Sequence, residues 1–543
     1  MKRLHVLLIM VAIVIAVFVV VNSLSEDEKI EAKSEPKIIK WNLGSEPATL
    51  DPQLTKDLYG GSVINHLFEG LFRYRGHHIE PAIAERYDMT ADGLTYTFYL
   101  KETKWSDGQP LTARDFEYSW KRALDPTTGS EYAFQFHTIA GGEAYHSGKT
   151  DASSVAVKAI DDLTLQVTLS SPTPYFLDLL TTFPFMPVRK EIVEQYPDGS
   201  WAIDPAICVS NGPYILTEFE LSSRLKLTKN ANYWNTDAIK IDMLEIGIVN
   251  DANTALTGFE AGDFDIIDSV PLAEISRLKS ESPEFYAQPS LATAYYLFNT
   301  TVKPLDNPDV RKALSYAIDR KALVEMVTKG GEIAATGFIP PGLYDADDVD
   351  FHIASGTYGI NPDEVDIALA KSLLATAGFP DGVGFPKLEI LYNTSETNAM
   401  IAAAIQEMWK VNLGIDITLS NQEFAVFQES KKTGNYQISR GSWFADYADP
   451  MAMLEIWTSA SGINTTGWSN SEYDQLIDSA KTSIGQRRFD ALHKAQDILM
   501  NEMPIIPLFY YSDLFMISEK IIGWEKTAMG VWYFGNADLL ETE

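Results

Sequence analysis

The sequence is poor in cysteine. Among its 543 residues there is one, Cys208. A single thiol excludes disulfides within the chain, and it excludes Cys-rich zinc sites and iron–sulfur clusters, which need several thiolates. Because no histidine lies near Cys208 in the sequence, we expect it to be a small buried residue and not a nucleophile.

Basic residues are also scarce relative to acidic ones. The chain has 43 Lys and Arg against 75 Asp and Glu, which gives a formal charge of −32. Such a surface repels phosphate backbones and anionic lipid headgroups, so nucleic-acid binding and peripheral membrane binding are not expected. The 45% hydrophobic and 22% charged residues exclude a disordered or collagen-like chain. The length suits two to four domains.

Several catalytic motifs are missing. The chain has neither the His-Glu-x-x-His of metalloproteases nor the Gly-x-Ser-x-Gly of α/β-hydrolases. His77 and His78 adjoin, but neighbouring side chains on a strand point to opposite faces. The segment from Gly142 to Thr150 resembles a phosphate-binding loop, but it has one residue too many. We therefore expect a protein that is not an enzyme and holds no metal or cofactor.

One enzymatic alternative stays open, a serine hydrolase of the penicillin-binding type. Ser276 and Lys279 match its Ser-x-x-Lys motif, and residues 432–434 match its Lys-Thr-Gly strand. The middle Ser-Asp-Asn element of that class is absent, and Thr433-Gly434-Asn435 is typical of a turn.

The N-terminal residues predict export. Two cations, Lys2 and Arg3, precede an apolar run from Val6 to Val21, as in a signal peptide. Residues 1–23 are read as a cleaved signal peptide or an uncleaved anchor, and residues 24–36 as a charged linker. The absence of a cysteine after the run excludes a bacterial lipoprotein. The body is expected in the periplasm or on the extracytoplasmic face of the inner membrane.

Helices and strands are predicted to alternate along the body. A two-residue hydrophobic period predicts strands at Thr95–Leu100 and Thr164–Leu169. Helical periodicity covers Val310–Val327, Glu364–Leu374 and Met400–Leu413. The fold class predicted from this pattern is α/β, or mixed α+β.

The segment 104–126 is densely patterned. It predicts the end of a strand, a turn at Asp107-Gly108, a cap at Thr112 and a helix over Ala113–Ala123.

This segment also resembles the corresponding stretch of the oligopeptide-binding proteins of peptide ABC importers, bacterial extracellular solute-binding protein family 5. The similarity continues in order from about residue 40 to the C-terminus. Further matching stretches are Leu50–Pro52, Leu67–Leu71, Ser210–Tyr214, Asn232–Asn235, Asn307–Leu314, Tyr392–Ser395, Ser442–Pro450 and Ile506–Tyr511.

The resemblance implies a two-lobed fold of the periplasmic-binding-protein kind, with a hinge near residues 291 and 511 and an extra domain inserted in the first lobe. The implied boundaries are 37–68, 191–291 and 512–543 for lobe I, 69–190 for the inserted domain II, and 292–511 for lobe III.

It also implies a function. The chain would capture short oligopeptides by their backbone and termini and deliver them to the transmembrane permease of an ABC transporter, acting as a monomer. The same fold with another solute, such as a murein peptide, an opine, a sugar or a nickel chelate, stays an alternative.

Carried over by position, the resemblance places the peptide's α-amine on Asp446, for which a turn or capping role is the alternative. The backbone of Ser442, Trp443 and Phe444 would pair with the ligand, with Leu58 on the opposing side.

Three aromatic residues are expected to reach the ligand, Tyr132, Tyr511 and Phe424, and a place in the core or at the rim is the alternative for each. Arg440 and Lys431 stand at cationic positions of the family pattern and are expected to meet the peptide's carboxylate.

The sequence departs from the family at three points. Thr328 and Asn398 replace a lysine and a histidine that meet peptide C-termini, although the adjacent Lys329 offers a substitute cation. Ala292 and Phe444 fill the positions of the family's disulfide.

Overall fold

The computed structural model describes residues 35–540. The predicted signal peptide or anchor, and nearly all of the predicted linker, lie outside this range. Within the described range, every helix is too short or too polar to cross a bilayer.

The strands are short except for two. They are β1 (Ile38–Asn42), β2 (Phe72–Arg75), β3 (His78–Pro81), β4 (Ala84–Met89), β5 (Thr95–Leu100), β6 (Thr103–Lys104), β7 (Pro110–Leu111), β8 (Val157–Asp161), β9 (Thr164–Thr168), β10 (Tyr214–Glu220), β11 (Arg224–Lys229), β12 (Met243–Gly247), β13 (Ile266–Ile267), β14 (Phe285–Phe298), β15 (Ile333–Ala334), β16 (Leu388–Asn393), β17 (Ile417–Gln422), β18 (Ile438–Phe444), β19 (Ile505–Ile517), β20 (Ile521–Ile522), β21 (Glu525–Lys526), β22 (Trp532–Tyr533) and β23 (Asp538–Leu539).

The α-helices alternate with these strands. They are α1 (Leu58–Leu67), α2 (Ala113–Leu124), α3 (Gly142–His146), α4 (Phe176–Leu179), α5 (Lys190–Gln195), α6 (Ala252–Ala261), α7 (Ile275–Glu281), α8 (Pro308–Tyr316), α9 (Arg320–Ala322), α10 (Phe351–Ala354), α11 (Ile367–Thr376), α12 (Glu396–Leu413), α13 (Phe424–Lys432), α14 (Met451–Leu454), α15 (Ser471–Thr482) and α16 (Gln486–Glu502).

One main sheet runs through the molecule. Ten of its strands follow the order β10-β11-β12-β1-β13-β19-β14-β18-β16-β17, and β15 pairs with β19. The long strands β14 and β19 are central and antiparallel, so they join the strands of both halves of the sheet. A separate four-stranded sheet, β4-β5-β9-β8, lies in the segment 84–168.

The pairing of β14 with β19 is interrupted at one place. Pro289 faces Ser512 and Thr293 faces Tyr510, so residues 290–292 face Tyr511 alone. Such an irregularity bends a strand pair and loosens its ladder. It falls at the two predicted hinge positions, near 291 and 511. The lobe boundaries given above stay a prediction.

A cluster of aromatic side chains joins strand β1 to residues near the end of the described range. The Trp41 ring, fully buried, meets Trp532 and Phe534 edge-on. His66 joins this cluster, and its ring bonds the Ser62 carbonyl and accepts from the Phe534 amide. Burial lowers the pKa of His66 to about 3, so the ring is neutral.

Most predicted elements are present. Strand β5 has the predicted bounds and β9 ends one residue early. Helix α2 begins after Thr112, whose backbone N–H bonds the Asp115 carboxylate at 2.7 Å. Helix α12 ends at Gly414 as predicted, but it begins at Glu396 with Ser395 as its cap.

The continuous helix predicted over Val310–Val327 is wrong. Helix α8 ends at Tyr316, and Asp319 caps a new turn by accepting from the Ala322 amide. A wider π turn then covers Leu323–Thr328. The apolar stripe is nevertheless buried as predicted, because the chain re-enters the same face after the break.

Candidate functional site

A cleft opens where the two halves of the main sheet meet. It contains a cavity of about 560 Å³, within the 300–1,000 Å³ typical of ligand pockets. Its walls come from residues before and within α1, from the interruption of β14 and β19, from the residues after β18, and from the turn after β21. Adjoining cavities of about 120 and 810 Å³ extend it.

Asp446 lies on the wall of this cleft, two residues after β18. It is half-buried, and among residues 35–540 it makes neither a hydrogen bond nor an ion pair. Burial, with a smaller effect from the Glu455 carboxylate, raises the pKa of Asp446. A cationic ligand bound to this carboxylate would lower the pKa of Asp446 again. The turn or capping role is not seen.

Each of the other acids and bases that line the 560 Å³ cavity has an ion-pair partner. Lys526 lies 2.8 Å from both Asp268 and Asp513, and Lys56 pairs with Glu131 at 2.7 Å outside the cavity. Within the described chain, Asp446 is therefore the one charged group of this wall without a counter-ion.

Four further predicted residues share the wall with Asp446. Leu58 and Phe444 are 52% and 59% exposed, so large apolar surfaces face the cleft. The Phe444 ring stacks on Tyr511 with centroids 5.2 Å apart. Tyr132 faces the same space, and burial followed by the charge of Asp446 raises its pKa.

Strand β18 presents a partly unpaired edge. One edge pairs with β14 along its whole length, with Ala292 opposite Phe444. The other edge pairs with β16 only at Ile438 and Ser439. Residues 440–444 therefore have one edge without a partner strand within residues 35–540, which suits an added strand.

Ser442 and Trp443 contribute only their backbone groups to this unpaired edge, because their side chains point elsewhere. The Trp443 indole N–H donates to the Ala452 carbonyl at 2.8 Å, and its ring packs against the core. Neither side chain lines the cavities of the cleft.

Arg440 and Lys431 form a second charged feature. The Arg440 guanidinium donates to the Tyr511 hydroxyl at 3.0 Å and lines a small pocket with Asn398. Burial, then repulsion from Arg440, lowers the pKa of Lys431 to about 8. Among the described residues neither cation has an ion-pair partner, so their surroundings favour an anion.

Phe424 is not brought to the cleft. It begins α13, is 53% exposed, and lies apart from the residues that line the cavities. Residues that sequence reasoning missed also line the cleft, including Asp178, Lys526 and Met529. They come from distant segments and carry no motif, so the sequence offered no signal for them.

The enzymatic readings lack support in the structure. Residues 432–434 form the end of α13 and a turn, with Gly434 at a φ of 69°, instead of the strand a hydrolase needs. Burial raises the pKa of the half-buried Cys208 to about 12, so its thiol is not activated.

The expectation that His77 and His78 point apart is wrong. His77 precedes β3, in the turn of a hairpin, and the two ring centroids lie 4.1 Å apart. The alternation of a strand does not apply to a turn residue.

Comparison with known proteins agrees with this geometry. The family model described as "Bacterial extracellular solute-binding proteins, family 5 Middle" matches residues 78–465. The oligopeptide-binding protein OppA of Bacillus subtilis is 36% identical over 523 residues, which cover 93% of this chain and 94% of that protein.

Two solved structures share the mixed α/β fold and confirm the predicted fold class. The unliganded open form of the periplasmic murein tripeptide-binding protein MppA has a TM-score of 0.84 and 33% identity, covering 94% of this chain and 98% of MppA. Haemophilus influenzae OppA in complex with the peptide RPPGFSPFR has a TM-score of 0.68 and 28% identity, covering 93% and 99%. The structure is thus more similar to the open form.

The family model matches more than half of the chain, and B. subtilis OppA is 36% identical over most of its length. The chain belongs to family 5 of the bacterial extracellular solute-binding proteins.

Proposed function

We propose that the protein is the peptide-binding component of an ABC peptide importer. It captures short peptides in the cleft and delivers them to a transmembrane permease. Membership of a solute-binding family agrees with the prediction that it is not an enzyme. The observation that carries the proposal is Asp446, a carboxylate without a counter-ion on the cleft wall.

The charges of the cleft suit a zwitterion. Asp446 offers a carboxylate to an ammonium, and Arg440 with Lys431 offers two cations to a carboxylate. The unpaired edge of residues 440–444 lies between them. A peptide bound with its amine at Asp446 and its carboxylate towards Arg440 would therefore run antiparallel to β18.

The spacing limits the peptide's length. Six residue steps separate Arg440 from Asp446, which is at most roughly 20 Å of extended chain. That is the length of about six peptide residues, so the proposal is for short oligopeptides. Backbone pairing with roomy walls also explains how one cleft accepts different side chains.

The location and the assembly are further parts of the proposal. Relatives include periplasmic binding proteins, and we propose that this chain also acts outside the cytoplasm, in the periplasm or on the outer face of the inner membrane. We propose that it acts as a monomer, without a lipid anchor. The lobe boundaries 37–68, 191–291, 512–543, 69–190 and 292–511 are part of this proposal.

The test combines one substitution with one change in the ligand. Titration calorimetry with a tetrapeptide is expected to show that Asp446→Asn weakens binding by about 2–5 kcal/mol, because the buried ammonium loses its charge-assisted bond. N-acetylation of the peptide should weaken binding to the unsubstituted protein similarly and add little to the loss in Asp446→Asn.

The matched control is Asp416→Asn, the same change at an exposed acid outside the cleft. It should leave the affinity unchanged. If Asp446→Asn binds free and acetylated peptides as the unsubstituted protein does, the ligand lacks an α-amine at this position. The proposal would then fail in favour of another solute.

A further inference from the structure

A group of two histidines and one aspartate joins parts of the chain that are distant in sequence. His77 and His78 lie at the turn between β2 and β3, and Asp348 lies in the loop before α10. His77 and Asp348 are 271 positions apart. Within residues 35–540 this is the one group of three or more histidine, cysteine or acidic side chains with metal-ligand spacing.

The distances suit a metal ion. His77 Nε2 lies 2.8 Å from Asp348 Oδ1, and His78 Nε2 lies 3.7 Å from Asp348 Oδ2. One ligand atom from each residue lies within 4.8 Å of the others. Tetrahedral ligands at about 2.0 Å from zinc are roughly 3.3 Å apart, so small side-chain movements would admit the ion.

The neighbouring residues hold two of the three groups in place. The His77 ring stacks on Tyr344 at 3.9 Å with an interplanar angle of 18°. Asp348 has a positive φ of 62°, in a turn closed by hydrogen bonds with Asp345. A non-glycine residue in this region costs free energy, which is tolerated where the surroundings fix the position.

We propose that His77, His78 and Asp348 bind a divalent transition-metal ion, with zinc as the best match. Two imidazoles and one carboxylate are the ligand set of zinc sites, whereas calcium and magnesium prefer oxygen ligands alone. Three protein ligands leave a fourth position open. Since all three residues line the 810 Å³ cavity, that position is accessible to water or to a carboxylate in the cleft.

A bound ion would tie the β2–β3 hairpin to the loop at residues 344–350. The two segments already touch through His77, Asp348 and Tyr344 at the wall of the 810 Å³ cavity, so the metal would strengthen a contact that borders that part of the cleft. The metal site and the proposed amine site use different residues, because none of the three lines the cavity wall that carries Asp446.

The test is calorimetry with zinc chloride alone on metal-stripped protein. The unsubstituted protein should bind one ion. His77→Ala, His78→Ala and Asp348→Asn should each weaken zinc binding at least tenfold. Cobalt as a probe should give the visible absorption of a tetrahedral complex, and that absorption should be lost in the three variants.

Two control variants distinguish zinc binding at this site from nonspecific zinc binding by other acidic and imidazole groups. Asp347→Asn removes a neighbouring acid outside the group, and His146→Ala removes an imidazole from the other close pair, His137 and His146, whose nitrogens lie 2.9 Å apart. Neither should change zinc affinity. The substituted residues of the group are exposed, so equal melting temperatures in chelator should show intact folding.

Unchanged zinc binding in the double variant His77→Ala/His78→Ala would overturn the inference, as would a loss confined to His146→Ala. The measurement contains no peptide, so its outcome does not depend on the proposed transport function.

Discussion

At the scale of single residues, charged side chains without an ion-pair partner lie on the cleft wall and beside it, where Arg440 bonds the wall residue Tyr511. Asp446 supplies one sign, and Arg440 with Lys431 the other. Unpaired charge in a half-buried position costs free energy unless a ligand or solvent compensates it. We therefore expect these residues to select for the two ends of a peptide.

We expect Lys431 to make peptide affinity depend on pH. Its pKa is lowered to about 8, so in the free protein it loses its charge as the pH rises from 7 to 9. Affinity for a peptide with a free C-terminal carboxylate should fall by up to about tenfold over that range. The peptide's own amine also titrates there, so the amidated peptide serves as the control in parallel calorimetry. Equal losses for both peptides would exclude Lys431 from carboxylate capture.

A buried ion pair near the cleft supports the fold. Arg488 is 3% exposed and bonds both oxygens of Asp449, at 2.8 and 2.6 Å. Arg488→Leu should lower the free energy of unfolding by about 3–5 kcal/mol, because it leaves the Asp449 carboxylate buried and unpaired.

Urea denaturation should measure this loss, and the double variant Asp449→Asn/Arg488→Leu should recover part of it. A single variant as stable as the unsubstituted protein would show that solvent reaches Asp449.

Residues predicted from local motifs can be compared with the cavity, while their part in ligand binding stays a prediction. Asp446, Phe444 and Tyr511 lie in segments matched by motif, and all three line the cavity. Phe424 was predicted only from its position relative to the family pattern, and in the structure it is the exposed first residue of α13. The charge states of Asp446 and Lys431 depend on burial, which neither motif nor spacing reports.

At the scale of secondary-structure elements, helix α2 shows how capping residues in the local sequence determine where a helix begins. The Asp115 carboxylate accepts from the Thr112 amide at 2.7 Å and from its hydroxyl at 3.1 Å. Asp115→Ala should destabilise the protein by about 1 kcal/mol, because two donors at the helix N-terminus lose their acceptor.

The control for α2 is Asp162→Ala, which removes an exposed ion pair with Arg114 beside the same helix. Exposed pairs contribute little, so thermal unfolding of this variant should match that of the unsubstituted protein. Equal effects of the two substitutions would contradict the capping role.

The break between α8 and α9 shows the limit of periodicity. Apolar residues continue at helical spacing through the break, so their pattern predicts one helix. Arg320 explains the interruption, since its buried guanidinium bonds the carbonyls of Pro507 and Ser315. Pro507 lies far away in the sequence, and a tertiary partner of this kind is not visible in a local pattern.

At the scale of the whole molecule, the structure is more similar to an open, unliganded relative than to a peptide complex. Adding a tetrapeptide should therefore close the cleft and lower the radius of gyration in small-angle scattering. At the same peptide concentration, the radius of gyration of the Asp446→Asn variant should stay unchanged. That of the Asp416→Asn variant should fall as it does for the unsubstituted protein. An unchanged radius at saturating peptide would show that binding does not need closure.

The order of the main sheet was not predictable from patterns within the chain. Strand β13 has two residues, and it links β1 to β19 across more than 200 positions on either side. Strands this short carry no periodic signal. The resemblance to a family supplied the two-lobed architecture, while the patterns supplied only the class.

The position of the first strand has a consequence for biosynthesis. Trp41 packs against Trp532 and Phe534, so the first strand of the described range completes its core with residues near the other end of that range. A growing chain cannot assemble this region before its final segment is synthesised. The aromatic core around Trp41 therefore closes only after residues 532–534 have left the ribosome.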